Sequence, residues 1–285
     1  MATLRRGEAP PRASLPFLLL VAAVVLWCLL PFVWMLLTSF KAPADVFRAP
    51  TDYFPSPPDL SNWRKVLTLP RFTRALLNSA IVAASATVIS LLVGSICSYA
   101  LARLRFPGKS FVLATVLAVA MFPGIAIVSP LYLQFSQWGL INSKWALILP
   151  NVTFTLPVCI WTLNAFFRDL PAELEEAARV DGASRLQTFV QVVAPLAAPG
   201  VFTTAILLFI AAWNEFLFAR TFMSEQDQYT APVAIAQFEG ADIAAATPWG
   251  EITAAAAIST IPLVVLVLLF QRRIIAGLTA GAVKG

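Results

Sequence analysis

The most polar long stretch in the second half of this chain lies between two long apolar runs. From Leu170 to Pro199 the sequence carries carboxylates and guanidinium groups within a few residues of one another: Glu173, Glu175, Glu176, Arg179, Asp181 and Arg185. Charged groups at this density can bind complementary charges on another molecule. The sequence shows no set of catalytic residues that would act together with them. The stretch is therefore either a passive linker or the place where another protein binds.

The spacing within this stretch predicts two short helices joined by a tight turn. Asp169 is placed to cap the first helix, and Gly182 is placed to end it. Ser184 and Gln187 have the capping-box spacing of a second helix, which Pro195 is expected to end. We expect a helix–turn–helix outside the bilayer, with an apolar stripe of mostly small side chains that another protein can approach closely. The stripe consists of Leu170, Leu174, Ala177 and Ala178.

A second candidate group is the carboxyl of Glu215, which the sequence places inside an apolar segment. An ionisable side chain within a membrane-spanning segment points by default to a functional site. Glu215 either lines the path of a transported solute or is a buried structural acid satisfied by a neighbouring helix or by Arg220. Other polar side chains in the apolar segments either join helices by hydrogen bonds or contact a polar solute. They are Asn78, Gln134, Asn151 and Asn164.

Several kinds of chemistry are not predicted for this chain. The sequence has no glycine-rich phosphate loop with its Lys and Ser or Thr, so ATP must be bound by another chain. It has no histidine, and Cys28, Cys97 and Cys159 lie in apolar segments without metal-ligand spacing. The prediction is therefore a chain that is not an enzyme and has no cofactor of its own. Its net charge of +5 is interpreted by position along the chain, not as a sign of nucleic-acid binding.

The elements that must position these groups are membrane-spanning helices. Of the 285 residues, 59% are hydrophobic and only 12% are charged, which indicates an all-α polytopic membrane protein. Six segments approach or exceed the ~20 residues needed to cross a bilayer. They lie at residues 16–40, 75–102, 111–135, 145–167, 201–223 and 252–270. The first could also be a cleaved signal peptide, but its apolar run is longer than the ~7–15 residues of a signal core, so we interpret it as a retained helix.

These segments divide the chain into a tail, a first helix, a loop and a five-helix core. The predicted parts are residues 1–15, 16–40, 41–73 and 74–273, followed by a second tail at 274–285. Prolines at depth in the third and fourth segments predict kinks, which serve either as hinges for gating or simply as bent packing. These prolines are Pro123, Pro130, Pro150 and Pro157.

The distribution of Lys and Arg predicts the orientation of the chain. Both tails and the polar segments at 103–109 and 168–185 carry several bases, whereas the loop at 224–250 has none. By the positive-inside rule, the two termini and the polar stretch face the cytoplasm. The loop at 41–73 departs from the pattern, but its bases are offset by Asp45, Asp52 and Asp59, and the opposite orientation leaves four basic segments outside.

Two motifs resemble those of a known family. Glu176-Ala177-Ala178, Gly182 and the run Val192-Val193-Ala194-Pro195 resemble the EAA loop of binding-protein-dependent ABC importer permeases. The extended form, with Asp181-Gly182-Ala183, is similar to the carbohydrate branch, although Ala194 stands where that family usually has leucine. The resemblance implies that residues 170–195 form a cytoplasmic coupling helix that docks into a cleft on an ATPase. The implied coupling residues are Glu175, Glu176, Ala177, Ala178, Asp181, Gly182, Ala183 and Pro195.

The C-terminal tail and the fifth segment extend the resemblance. Residues 271–285 resemble the terminus of the maltose-type permease, which implies that Thr279, Gly281 and Lys284 contact the ATPase. Trp213-Asn214-Glu215 matches a sequence common in the family's fifth helix. Together with the in-span amides, it gives a candidate translocation pathway of Asn78, Asn214 and Glu215.

The resemblance implies a permease subunit of an ATP-driven sugar importer, for an oligo- or disaccharide such as maltose or trehalose, in a bacterial cytoplasmic (inner) membrane. The implied partners are a second homologous permease subunit, a dimer of ATP-binding subunits holding ATP and Mg²⁺, an extracytoplasmic sugar-binding protein and membrane lipid, but no nucleic acid. The alternatives are a permease for another small solute, such as an amino acid or a polyol phosphate, a secondary transporter, and a membrane enzyme or scaffold. A secondary transporter would need coupling-ion residues and often internal repeats, which the sequence does not show.

Overall fold

The computed structural model describes residues 14–50, 52–238 and 247–280, with side chains as far as residue 271 in the last range. Within these ranges the chain is helical, without strands. The helices are α1 Leu15–Ser39, α2 Ser61–Thr68, α3 Pro70–Arg103, α4 Lys109–Ala120, α5 Gly124–Gln137, α6 Trp145–Asp169, α7 Glu173–Val180, α8 Arg185–Thr188, α9 Ala194–Leu196, α10 Ala198–Trp213, α11 Leu217–Phe222, α12 Ala231–Ala236 and α13 Trp249–Ala280. A π-helical turn, Phe189–Val193, joins α8 to α9, and 3₁₀ turns occur at Pro43–Asp45 and Gln226–Gln228.

The helices long and apolar enough to cross a bilayer confirm the predicted fold class. Five of them occur in the described ranges: Leu15–Ser39, Pro70–Arg103, Trp145–Asp169, Ala198–Phe222 and Trp249–Gln271. A sixth candidate is the pair α4 and α5, which meet at a bend of 87°. The bend falls where α4 ends at Ala120 and Pro123, in extended conformation, precedes α5. The fourth segment is different, because α6 continues from Trp145 to Asp169 through both of its prolines.

The centre of the bundle is the packed pair α3 and α6. Gly94 allows a close approach, since a Cβ at this position would lie 2.5 Å from the Sγ of buried Cys159. The hydroxyls of Ser90 and Thr155 hydrogen bond across the same interface at 2.8 Å. Small side chains and interhelical hydrogen bonds of this kind let membrane helices pack without a hydrophobic driving force. The helix α10 packs against both members of the pair.

The first helix stands at the edge of this bundle. None of the most apolar window of α1 is buried, and its long side chains are exposed along most of its length. Its C-terminal end is held by hydrogen bonds from α2: Trp63 Nε1 donates to Ser39 Oγ at 3.1 Å, and Asn62 Nδ2 donates to the Lys41 carbonyl at 2.8 Å. Exposed apolar side chains on a membrane-spanning helix are in contact with lipid or with another spanning chain.

The loop that follows α11 is tied to the N-terminal half of α3. The Asn78 amide donates to the carbonyls of Asp227 and Tyr229 at 2.8 and 3.0 Å. The Ser79 hydroxyl accepts the N–H of Ala231, the first residue of α12, at 2.8 Å. Both side chains are buried. This loop is therefore fixed to α3 through two buried polar side chains.

Candidate functional site

The first candidate site is the pair of short helices α7 and α8, which lies between α6 and α10. The helix α7 begins at Glu173 with Ala172 as its N-cap, and its first turn contains Glu173, Glu175 and Glu176. The prediction that Asp169 caps this helix is wrong, because α6 extends to Asp169 and takes that residue into its last turn. The acids themselves lie at the positive end of α7, where the helix dipole stabilises them.

Glu175 faces inward and fastens α7 to the end of α3. Its carboxylate lies 2.6 Å from Arg103 Nε and accepts a hydrogen bond from Tyr99 Oη at 2.9 Å. Arg103 Nη2 also donates to the Leu170 carbonyl at 2.6 Å, just before α7. Glu175 is only 8% exposed. A buried carboxylate with both a cation and a hydroxyl partner is a structural anchor, whose loss leaves an uncompensated charge.

The neighbouring residues of α7 face outward. The Glu176 side chain is 68% exposed and lies 4.0 Å from Arg179 Nη2, a distance at which a surface ion pair contributes little. Ala177 is exposed and Val180 is 87% exposed, whereas Ala178 is buried against the protein. The outward surface of α7 thus presents an acid, a small side chain and an apolar one, and nothing within the described chain covers them.

The turn after α7 has the geometry of a Schellman motif. Gly182 has φ +86°, the Ala183 N–H donates to the Ala178 carbonyl, and the Gly182 N–H donates to the Arg179 carbonyl. This confirms the prediction that Gly182 makes the sharp turn, because a left-handed conformation is strained for residues with a Cβ. A Cβ at Gly182 would meet no atom within 4 Å, so the constraint is in the backbone and not in the packing.

The predicted capping box of the second helix is present. The Ser184 N–H donates to Gln187 Oε1 at 2.8 Å, and the Gln187 N–H donates to Ser184 Oγ at 3.3 Å. The prediction that Pro195 ends this helix is wrong. The chain passes from α8 into the π-helical turn and then into α9, and only Ala197 separates α9 from α10. Pro195 lies in the first turn of α9, where its missing N–H is not needed.

The second candidate site is a cleft of about 330 Å³ between the α4–α5 bend, α6 and the broken fifth span. Its polar lining residues are Asn151, Thr155 and Glu215, and aromatic side chains form much of the remaining wall. A mostly apolar cleft with a few convergent polar groups is typical of a small-molecule site. The aromatic lining residues are Phe122, Phe154 and Phe218.

Glu215 has a structural partner within its own segment. The fifth span breaks between Trp213 and Leu217, and the Glu215 carboxylate accepts the N–H groups of Phe218 and Ala219 at 2.7 and 3.1 Å. Of the two roles considered from the sequence, this arrangement is that of a structural acid, although its partners are the backbone of α11 and not a neighbouring helix or Arg220. The carboxylate still lines the cleft, so it can also contact a solute there.

The structure does not bring all the candidate pathway residues together. Asn214 adjoins Glu215, but its Nδ2 donates to the Ile210 carbonyl at 2.8 Å. Asn78 is absent from the lining of the cleft, and its amide holds the loop after α11. Three residues of the C-terminal tail are predicted to contact the ATPase. Thr279 lies in α13, but its side chain is outside the part of the chain that the structure describes, and Gly281 and Lys284 lie outside the described residues.

Sequence reasoning missed the partners that complete both sites. Tyr99 and Arg103, which hold Glu175, were not selected, although a base at the end of a predicted span was visible in the sequence. Asn151 is among the in-span amides for which the sequence leaves two roles open, helix packing or contact with a solute. Thr155 follows it at the helical spacing of four residues, which predicts that both lie on one face.

Comparisons with known proteins agree with this architecture. Residues 90–279 match the family described as binding-protein-dependent transport system inner membrane component. The trehalose transport system permease protein SugB of Mycobacterium tuberculosis is 45% identical over 262 residues, which covers 92% of this chain and 94% of that protein. The trehalose/maltose transport system permease protein MalG of Thermococcus litoralis is 42% identical over 272 residues, covering 94% and 96%.

A solved structure shows the same fold. A chain in the crystal structure of a bacterial ABC transporter involved in the import of the acidic polysaccharide alginate superposes with a TM-score of 0.77. The superposition covers 92% of this chain and 99% of that chain at 22% sequence identity. At this identity, the likeness concerns the fold alone.

Proposed function

This chain belongs to the family of binding-protein-dependent transport system inner membrane components, and on that premise we propose that it is the membrane-spanning subunit of an ATP-driven sugar importer. The observation that carries the proposal is the likeness, over more than nine-tenths of both chains, to permease proteins of trehalose and maltose transport systems. Trehalose and maltose are therefore the first sugars to test. Hydrolysis of ATP with Mg²⁺ belongs to a separate pair of ATP-binding subunits.

The outward surface of α7 is where those ATP-binding subunits dock. Its exposed residues, Glu176, Ala177 and Val180, offer a carboxylate for a basic side chain and a shallow apolar surface that a cleft can approach closely. The Schellman turn and the capping box make the helix pair rigid, so that a displacement of the docked subunit moves the pair as one body. In this proposal, the helix pair and the two termini face the cytoplasm.

Glu175 transmits the displacement of α7 to the membrane-spanning helices. Because its carboxylate is paired with Arg103 and Tyr99, movement of α7 pulls on the adjacent end of α3. The helix α3 packs closely on α6, and α6 supplies Asn151, Phe154 and Thr155 to the cleft. Closure of the ATP-binding subunits therefore changes the shape of the cleft. A second homologous permease subunit completes the pathway, and an extracytoplasmic binding protein delivers the sugar to the opposite face.

The cleft is suited to an uncharged polyhydroxylated solute. Its aromatic walls can lie against the apolar faces of sugar rings, and the Asn151 carboxamide can hydrogen bond to hydroxyl groups. The chemistry is less favourable for a secondary transporter, because the Glu215 carboxylate, which would have to bind a coupling ion, already accepts two backbone N–H groups.

The test is uptake by a reconstituted complex. The tagged chain is purified with its associated subunits, placed in proteoliposomes with ATP and Mg²⁺ on the side of α7, and supplied with labelled trehalose or maltose and the binding protein. We expect uptake only with hydrolysable ATP. Uptake of equal rate without ATP contradicts the proposal and favours a secondary transporter.

A variant pair identifies the docking surface. Ala177→Trp places a bulky side chain on the outward surface of α7, so we expect it to lose the ATP-binding subunits on purification and to abolish uptake. Ala165→Trp makes the same exchange at an exposed position of α6 and serves as the matched control, which should retain both. Equal behaviour of the two variants means that α7 is not the docking surface.

A further inference from the structure

A large groove beside α7 is lined by several bases that the proposed coupling mechanism does not use. Its volume is about 790 Å³, and it lies between α7, the start of α8 and the segment that joins α3 to α4. Both acids and bases line it, but the bases outnumber the acids. The charged lining residues are Arg103, Arg105, Lys109, Arg179, Arg185, Glu175 and Glu176.

Three of these cations have no carboxylate partner. Arg103 is neutralised by Glu175, and Arg179 lies beside Glu176. For Arg105, Lys109 and Arg185, the part of the chain that the structure describes supplies no ion pair. Cations that line one groove attract an anion that binds in it.

The start of α4, where Lys109 lines the groove, adds a second feature. The helix begins at Lys109 after Gly108, which has φ +82°, and no side chain caps it. Its first turn contains no acid and begins with a base, the reverse of the arrangement that stabilises a helix N-terminus. Backbone N–H groups at such a terminus bind phosphate oxygens readily, and a neighbouring Lys strengthens the binding.

The surroundings of the groove indicate that the anion carries apolar chains. Phe106 lines the groove and is 38% exposed, and Phe111, in the first turn of α4, is 76% exposed. None of the residues of α4 is buried within the chain, so its apolar surface is available to lipid tails. A basic pocket next to membrane-spanning helices, bordered by exposed apolar side chains, is typical of a binding site for a lipid headgroup.

We propose that this groove binds the phosphate headgroup of an anionic phospholipid, with Arg105, Lys109 and Arg185 as its cationic contacts. The lipid joins the α3–α4 segment to the base of α7 and α8, and so stabilises the helix pair in its position relative to the bilayer. The groove shares no lining residue with the cleft proposed for the solute, and binding of the lipid is measured without uptake.

The test is a titration of the purified transporter complex with phosphatidylglycerol in detergent, followed by native mass spectrometry. Phosphatidylcholine and inorganic phosphate are titrated in parallel. We expect saturable binding of phosphatidylglycerol in preference to phosphatidylcholine. The double variant Arg105→Gln/Lys109→Gln should weaken this binding by about thirtyfold, the effect of removing two cations near an anionic headgroup.

The matched control is Arg64→Gln/Arg168→Gln, which removes the same charge from exposed residues that do not line the groove. It should leave lipid binding unchanged, and the thermal unfolding of both variants shows whether either is misfolded. Equal weakening in both double variants overturns the proposal. The proposal is also overturned if inorganic phosphate binds the groove as tightly as phosphatidylglycerol does. That result would indicate a site for a free anion.

A third outcome would assign the groove to a protein. If Arg105→Gln/Lys109→Gln releases the ATP-binding subunits while phosphatidylglycerol still binds, the groove is a subunit contact and the proposal is wrong. Failure of sugar uptake in the wild-type complex, with lipid binding intact, contradicts the proposed transport function and leaves this site in place.

Discussion

At the scale of single residues, Glu175 and Glu176 have opposite roles although they are adjacent and chemically identical. Glu175 is buried and paired with Arg103, whereas Glu176 is exposed and has only a distant base beside it. We expect Glu175→Gln to lower the free energy of unfolding by about 3 kcal/mol, because it leaves a buried guanidinium without its counter-charge. Equilibrium unfolding of the purified chain in mixed micelles measures this change.

The matched control is Glu176→Gln, which should leave the free energy of unfolding within about 0.5 kcal/mol of the wild type, as for most surface substitutions. Its defect should appear instead as weaker retention of the ATP-binding subunits. The double variant Arg103→Gln/Glu175→Gln should cost less than the sum of its single variants. Additive costs would mean that the two side chains do not interact.

The cap formed by Glu215 makes a second prediction for a single side chain. Glu215→Ala removes the acceptor for two N–H groups at the start of α11, so we expect it to cost about 1 kcal/mol of stability. Glu215→Gln keeps an amide oxygen as acceptor and should retain most of the stability and most of the uptake of an uncharged sugar. Uptake abolished by Glu215→Gln, at normal stability, would show that the charge itself contacts the solute.

At the scale of elements, the turn between α7 and α8 depends on one backbone conformation. Gly182 has φ +86° in open space, so a substitution there strains the backbone without a clash. We expect Gly182→Val, at a cost of at least 1–2 kcal/mol, to distort the turn and reduce uptake severalfold without reducing the amount of chain in the membrane. Gly182→Asn should be milder, since Asn adopts this conformation more easily. Wild-type uptake by Gly182→Val would contradict the coupling role.

Local spacing explains why some elements could be predicted and others could not. The Ser184–Gln187 capping box and the Gly182 turn depend on residues within one helical turn, so the sequence alone determined them. The inward direction of Glu175 depends on where Arg103 lies in space, which the pattern around Glu175 does not contain. The prolines show the same limit. Those in α6 leave that helix uninterrupted, whereas α4 and α5 separate at Pro123.

At the scale of the whole molecule, the orientation of the chain in the membrane is a prediction from the positions of Lys and Arg along the sequence. In a variant whose three native cysteines are replaced by alanine, we expect a membrane-impermeant maleimide to label Gln226→Cys in intact cells. Glu176→Cys should be labelled only after the membrane is opened. Both positions are exposed in the chain itself. In cells that lack the ATP-binding subunits, a difference in labelling therefore reports the side of the membrane and not burial. The reverse pattern would place α7 outside, where no ATP-binding subunit can reach it.

The 34-residue helix α3 carries anchors near both of its ends: Asn78 and Ser79 hold the loop after α11, and Tyr99 and Arg103 hold α7. At 1.5 Å per residue, it is a rod about 50 Å long. Any tilt of this rod must displace both attachments at once. A force applied to α7 on one side of the bilayer would therefore reach the loop after α11 on the other side through a single rigid helix.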